Sequence, residues 1–413
     1  MPKTLKNKYY EKLTYEKLME AHIKSRKGKG NRKEIIMFNL KQEEYIMWLL
    51  EKLENKTYKH GGYTTFYVTE PKLRKIEKSR YIDRIVHRWL VDNFLKPAFI
   101  PQLINTTYAC IEERGMHKAC LDVQKTMKRC TNKWGKYYIL KMDVAKYFDN
   151  INKKILLEIL KRKIKDKNIL WLINEILYAQ KREKGLEIGN YTSQIFANIY
   201  LNEIDQYIKH KLKIKYYFRY MDDSILLVET KKEAIIALEK IKKYLKENLQ
   251  LELNSKTQIF KNKQGVNFCG YKINEQRLKI RDKGKRKLKK KIKKLKQQIK
   301  EGEITSKEAY RYLAGHMGYI KIADTYTLGE MKMNTCFISG KIITEVKFKF
   351  AIKRKIYSVV QFEIELDNKS IIKVKAYNEM AEYCYQKLEK EMYINIYGKI
   401  ENNGEIQIME IYE

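Results

Sequence analysis

The sequence predicts an α/β (α+β) body followed by a small, separate all-β barrel. Two observations carry that prediction. Short apolar runs alternate with segments of helical period along the body, the mark of a sheet covered by helices. The tail differs in kind: residues 334–413 hold 12 basic and 12 acidic residues, so the whole formal charge of +37 lies in residues 1–333.

A chain of 413 residues exceeds one ordinary core, so two to three domains are expected, and 44% apolar residues suffice to fill them. Lys and Arg number 87 against 50 Asp and Glu. Such an excess favours a polyanionic partner, because each cation that neutralises a phosphate releases counterions. Lysine-rich chains also arise from AT-biased genomes, so composition alone leaves both explanations open. The six cysteines (Cys110, Cys120, Cys130, Cys269, Cys336, Cys384) form no CxxC pair. Ten-residue spacing gathers no metal knuckle, and buried thiols in a reducing cytoplasm are expected. The N-terminal MPKTLKNKYYEK lacks an apolar stretch, and no run of apolar residues is long enough to span a bilayer.

Residues 1–60 read as basic helices, with Tyr45, Trp48, Leu49 and Leu53 as an apolar stripe. Thr64–Val68 reads as a strand that Lys72–Arg80 closes into a hairpin, and 81–98 returns to helical period, ending near Pro97 and Pro101. Tyr137–Val144 is a buried strand. Helices follow at 153–165, 168–178 and from the Gly189 turn to His210, then strand, turn and strand over Tyr216–Val228. A helix at 232–248 and a hairpin around Gly270 complete the unit. Residues 281–300 form a helix with 12 basic residues and one acidic, on which Leu288, Ile292, Leu295 and Ile299 leave one packing side. In the tail, four strands, a helix near 377–390 and two more strands give the order of an OB-type barrel.

Three carboxylates stand out by their settings. Asp143 ends an apolar strand, and Asp222 and Asp223 occupy a turn between apolar strands. Adjacent side chains on extended backbone point to opposite faces, so Asp222 is the better partner for Asp143 and Asp223 a supporting group. Such a cluster suits in-line phosphoryl transfer, where two divalent ions clamp the attacking and leaving oxygens. Either feature alone is more often structural, since paired Asp residues are common in turns and a strand-end Asp often caps a helix.

The combination is more specific. KMDVAKYFDNI (141–151), GLEIGNYTSQIFANIYLNEID (185–205), YFRYMDDSILL (217–227), LNSKTQIF (253–260) and VNFCGYKI (266–273) occur in this order. They resemble the successive palm motifs of reverse transcriptases. The resemblance implies a right-hand polymerase: N-terminal helices and fingers over 1–136, a palm with an antiparallel sheet over 137–279 and a basic helical thumb over 280–332. The OB-like barrel takes 333–413. It further implies Asp143, Asp222, Asp223 and Lys256 as catalytic residues, with Asp143, Val144, Asp222 and Asp223 holding two Mg²⁺ ions (or Mn²⁺ in their place). Lys72, Arg74, Phe148, Ile188, Gly189 and Gln194 are implied around the incoming dNTP, Phe148 as the gate against a 2′-hydroxyl. Phe268, Gly270 and Tyr271, with Lys287, Lys290, Lys291 and Lys294 of the thumb, are implied against the primer, cDNA and RNA template.

One departure narrows the resemblance. Ile188-Gly189-Asn190-Tyr191-Thr192-Ser193-Gln194 has an apolar residue before Gly and SQ where most relatives have SP. This resembles the reverse transcriptases of diversity-generating retroelements, implying error-prone synthesis and a small basic accessory protein as partner. Ile188 removes a hydrogen bond that would penalise a misplaced base. A defence-associated reverse transcriptase, and a non-catalytic nucleic-acid-binding protein with a decayed palm, stand as alternatives. In the tail, Phe348, Phe350, Tyr357 and Phe362 alternate with Lys347, Lys349, Lys353, Arg354 and Lys355. That pattern suits stacking of single-stranded bases, or a protein dock.

Overall fold

A computed structural model describes residues 4–69, 73–320, 322–323, 335–353, 355–366, 369–401 and 404–412. The chain divides into two compact units, Met1–Ala323 and Asp324–Glu413.

Unit one opens with helices α1 (Tyr9–Lys12), α2 (Tyr15–Arg26), α3 (Lys33–Leu40) and α4 (Gln42–Glu54). Thr14 caps α2 by accepting from Lys17 N at 3.3 Å. Of the stripe expected on α4, Leu49 and Leu53 face the core and Tyr45 and Trp48 do not. Ile46, Leu49 and Leu53, at spacings of three and four, are buried, whereas Tyr45 and Trp48 are exposed. Strands β1 (Tyr63–Val68) and β2 (Arg74–Ser79) form the expected antiparallel ribbon, paired from Tyr63↔Ser79 to Val68↔Arg74. After α5 (Tyr81–Leu90), a π-helical turn carries the chain into α6 (Lys96–Phe99). Helix α6 ends at Phe99 and a 3₁₀ turn over Ile100–Gln102 closes the helical path, near the expected stop at Pro97 and Pro101.

Helix α7 (Met116–Trp134) was not expected from the pattern. Its buried face is Ala119, Cys120, Val123, Met127 and Cys130, a stripe too weakly hydrophobic to stand out. Gly115 and Gly135 bound it, the latter at φ 64°.

Next come β3 (Tyr138–Asp143), α8 (Tyr147–Asn150), α9 (Lys153–Lys163), α10 (Lys167–Leu177) and α11 (Tyr191–Gln206). They are followed by β4 (Tyr216–Tyr220), β5 (Asp223–Val228), α12 (Lys231–Leu249) and β6 (Gln258–Lys261). Asn152 and Asp166 cap α9 and α10, and Thr230 with Glu233 forms a capping box on α12. The four strands make an antiparallel sheet in the order β4-β5-β3-β6. Alternation decides its two faces. Leu140, Met142 and Leu226 join the core shared with α9 to α12, while Ile139, Phe218, Ile225 and Leu227 join a second core with α7.

A meander of β7 (Val266–Phe268), β8 (Tyr271–Ile273) and β9 (Leu278–Ile280) leads to α13 (Asp282–Lys300) and α14 (Ser306–Ile320). On α13 the expected packing side is in place: Leu288 and Leu295 are buried, and Ile292 and Ile299 half-buried.

Unit two contains β10 (Thr335–Ile342), β11 (Lys347–Lys353), β12 (Lys355–Leu366) and β13 (Ile371–Tyr377), then α15 (Glu379–Lys387), β14 (Tyr393–Ile400) and β15 (Ile406–Tyr412). Five strands close a ring, β10-β14-β15-β13-β12 and back to β10. Strands β13 and β15 run parallel, the other pairs antiparallel. Closure needs Gly340, because a Cβ there would overlap the Glu365 carbonyl. Strand β11 adds to β12 as a hairpin outside the ring. Phe362, expected on a stacking surface, is instead buried in the barrel core with Val360 and Ile364, because even-numbered positions of β12 face inward. Arg354 lies outside the described residues.

Candidate active site

The sheet brings the three expected carboxylates together at one edge. Asp143 and Asp223 are register partners at the ends of β3 and β5. Between β4 and β5 the loop is only Met221 and Asp222, since Tyr220 pairs with Asp223. Met221 takes φ 55°, a conformation that favours glycine in a two-residue hairpin, and so stores strain at the tip. A buried scaffold supports that strain. Arg219 Nη1 donates to the Met221 carbonyl at 3.1 Å and to Asn198 Oδ1 at 3.1 Å. Its other end is held by Asp205, with Nη2 to Oδ2 at 2.6 Å, and Tyr217 donates to Asp205 Oδ1 at 2.7 Å. Arg219 and Asp205 are both fully buried, so neither charge has water to fall back on.

The carboxylates line a cavity of about 860 Å³ with Arg74, Lys141, Lys256, Gln258, Lys272 and Arg281. Burial and the adjacent Asp143 charge raise the Asp222 carboxyl above its usual range, while Arg74 pulls it back. Burial raises Asp223 to about 6 against the pull of Lys141, whose ammonium donates to Asp223 Oδ1. Asn254 Nδ2 donates to Asp143 Oδ2 at 3.3 Å, and Asn254 N to the Asp143 carbonyl at 2.6 Å. The donor set fits a divalent cation: these are hard oxygen donors, and mutual repulsion leaves them short of positive charge. They do not stand as a finished cluster, since among the described residues no group of three or more His, Cys, Asp or Glu is placed to hold a metal ion. Lys141 and Asn254 occupy part of their capacity. Val144 is buried, and its N–H donates to the Asp222 carbonyl at 3.4 Å, so only its main chain faces this chemistry.

Other expected residues fall elsewhere. Lys72 lies outside the described residues. Phe148, half-buried on α8, makes an edge contact with Tyr147, ring centroids 5.6 Å apart. Phe148, Ile188, Gly189 and Gln194 are not among the lining of this cavity. Gly189 sits at φ 116°, and a Cβ there would come within 3.2 Å of Ile76. Two members of the expected nucleic-acid set need correction: Phe268 and Tyr271 are buried in the core with α7, so neither ring is presented to a strand. Alternation in β7 and β8 turns Asn267 and Lys272 outward instead, and they line the cavity with Cys269 and Gly270. Tyr271 donates its hydroxyl to the Tyr319 carbonyl at 3.0 Å, which ties the hairpin to α14. On α13, Lys287, Lys290 and Lys294 are exposed, while Lys291 donates to the Tyr312 carbonyl at 2.6 Å. Lys141, Asn254 and Arg219 were missed as site residues. The signal was present for two of them, an ammonium two positions before Asp143 and a guanidinium among aromatics just before the turn. Cys110 is exposed, whereas Cys120, Cys130 and Cys384 are buried as expected.

An antiparallel sheet backed by helices, with a carboxylate hairpin against a carboxylate strand end under a basic cavity, defines a palm-type polymerase domain. Residues 69–273 match the family model for reverse transcriptases (RNA-dependent DNA polymerases). Residues 69–273 thus carry a reverse transcriptase domain. It is 25% identical over 247 residues to protein YkfC of Escherichia coli, covering 50% of this chain and 64% of that one. It is 26% identical over 185 residues to the group II intron-encoded protein LtrA of Lactococcus lactis, covering 42% and 30%. The chain thus spans less than two thirds of either relative. Among solved structures, Candida albicans telomerase in complex with a telomeric RNA fragment aligns at 14% identity and a TM-score of 0.41, over 59% of this chain and 50% of that one. No helix among the described residues is long and apolar enough to cross a membrane.

Proposed function

We propose that the chain is an RNA-directed DNA polymerase that extends a primer along an RNA template with dNTPs. The observation that carries this reading is the meeting of Asp143, Asp222 and Asp223 on one basic cavity that also holds Arg74 and Lys256. Asp143, Asp222 and Asp223, with the main chain of Val144, would hold divalent ions, for which Mg²⁺ suits hard carboxylate donors that leave waters in place. When bound, those ions supply charge neutralisation at the attacking and leaving oxygens. The protein's own groups do the rest. Arg74 and Lys256 face the triphosphate, Lys256 as the proton donor to leaving pyrophosphate, and Phe148 excludes a 2′-hydroxyl. The Met221–Asp222 tip is held in place beforehand by Arg219. On this reading residues 1–136 form the fingers with the N-terminal helices, 137–279 the palm and 280–332 the thumb.

The test is primer extension on a homopolymer RNA template. Asp222→Ala should reduce the rate at least about a thousandfold, roughly 4 kcal/mol of barrier, with folding intact by circular dichroism. Equal activity in the variant refutes the assignment.

At the finer level, Ile188 and Gln194 support error-prone synthesis of the diversity-generating kind, with Ile188 in place of a hydrogen-bonding side chain. A second observation supports a single-strand role for the tail. Phe350 is exposed beside Phe348, ring centroids 5.4 Å apart, and Phe348 meets Tyr385 of α15 at 5.1 Å. Lys347 and Lys349 alternate with these rings on β11 and point from its other face, which leaves the aromatic side itself to stack bases.

A further inference from the structure

The loop of residues 182–190 joins three places expected around the nucleotide. At one end it is tied to the segment carrying Phe148: Leu186 N donates to the Phe148 carbonyl at 2.8 Å and Gly185 N to the Ile151 carbonyl at 2.9 Å. At the other end it lies along the free edge of β2. Glu77 N donates to the Ile188 carbonyl at 3.2 Å, Asn190 Nδ2 to the Glu77 carbonyl at 3.3 Å, and Ser79 Oγ to Asn190 Oδ1 at 2.8 Å. Gly189 permits this close approach, since a Cβ there would crowd the Ile76 side chain at 3.2 Å.

Side chains reinforce the seam. Strand alternation turns Glu77 and Ser79 inward, while Arg74 lies exposed on the opposite face and lines the cavity. Glu77 receives Lys75 Nζ at 2.8 Å and Arg182 Nη2 at 2.9 Å. Arg182 also reaches Glu187 Oε1 at 3.5 Å, and Glu187 faces the fully buried Lys153 at 3.7 Å. Burial opposes ionisation of Glu77, but the bonds from Lys75 and Arg182 outweigh it and hold its carboxyl below the usual range. The buried members of this charge chain, Glu77, Glu187 and Lys153, would be costly without these partners.

We propose that Glu77 and Arg182 are positioning residues, a clasp that makes β2 with Arg74 and the loop with Ile188 move as one body against Phe148. The clasp rests on the polymerase reading for its catalytic consequence, not for its existence. Loss of either partner frees the ribbon to swing away from the loop, so the triphosphate and the base are no longer located by a common frame.

Glu77→Gln, Arg182→Gln and the double variant test this in the full chain. Amide exchange at position 77, whose N–H is bonded to the Ile188 carbonyl, should quicken about tenfold in each single variant. The dNTP KM in primer extension should rise about tenfold in each, with kcat within about threefold. The double variant should be no worse than a single one, because both remove the same coupling. Arg182 is partly exposed, so its variant is not expected to compromise folding. Unchanged exchange overturns the clasp, and quickened exchange with an unchanged KM overturns its positioning role. Effects that multiply in the double variant overturn the coupling. A wild-type chain that extends no primer, while exchange still responds, refutes the polymerase reading and leaves the clasp standing.

Discussion

The carboxylate tip is placed by residues that never touch the cavity. Asp205 is fully buried and balances the equally buried Arg219, which in turn holds the Met221 carbonyl. Asp205→Asn leaves that guanidinium without a counter-charge, and about 3–5 kcal/mol of stability should be lost in urea unfolding. Extension activity should fall with it, since the strained turn loses its support. Ile188 is a different kind of residue, half-buried and held by its main chain rather than its side chain. If its apolar side chain is what tolerates misplaced bases, Ile188→Gln should lower the substitution frequency in sequenced cDNA about tenfold, the scale of one hydrogen bond. Unchanged error rates would sink that idea. At this scale the motifs made the Asp residues, Lys256 and Gly270 legible. They left out Lys141 and Asn254, which meet the carboxylates only after strand pairing and the Asn254 turn have formed.

Elements with a strong apolar period were readable in advance: β3, β4, β5, α12 and the packing side of α13 all stand where the pattern places them. Weak ones were not. Helix α7 builds its face from Ala, Cys and Met, and on α4 the aliphatic residues took the core while Tyr45 and Trp48 stayed at the surface. The same competition withdrew Phe268 and Tyr271 from the nucleic-acid face. Helix α13 keeps its basic side clear of its packing side, so a role in backbone contact is directly measurable. Lys290→Ala and Lys294→Ala should each reduce the slope of log affinity against log salt by about 1 on a primer–template duplex. A slope that does not move would make α13 a solvated face and nothing more.

For the whole molecule, charge and compactness divide the chain near the same point. The basic body and the neutral tail are separate compact units, Met1–Ala323 and Asp324–Glu413. A neutral barrel has little to offer phosphates, so its contribution to strand binding must come from the Phe348–Phe350–Tyr385 surface. Deleting 334–413 should therefore weaken binding of a single-stranded oligonucleotide about tenfold, about one stacked base, and change the salt slope little. Affinity equal to that of the full chain, measured at two salt concentrations, would exclude the stacking reading in favour of a protein dock.

Read alone, the amino-acid order was enough for the fold class and for singling out three aspartates that line one cavity, because periodicity and short motifs are local properties. It was also enough for the tail, whose strand and helix order already describes a barrel. Folding decided the rest. It determined which residues counter the carboxylate charge, and which aromatics are buried rather than presented. It also brought Glu77 and Arg182, 105 positions apart, into a single ion pair. Such contacts depend on long-range pairing and on competition for the core, and neither leaves a periodic trace in the chain.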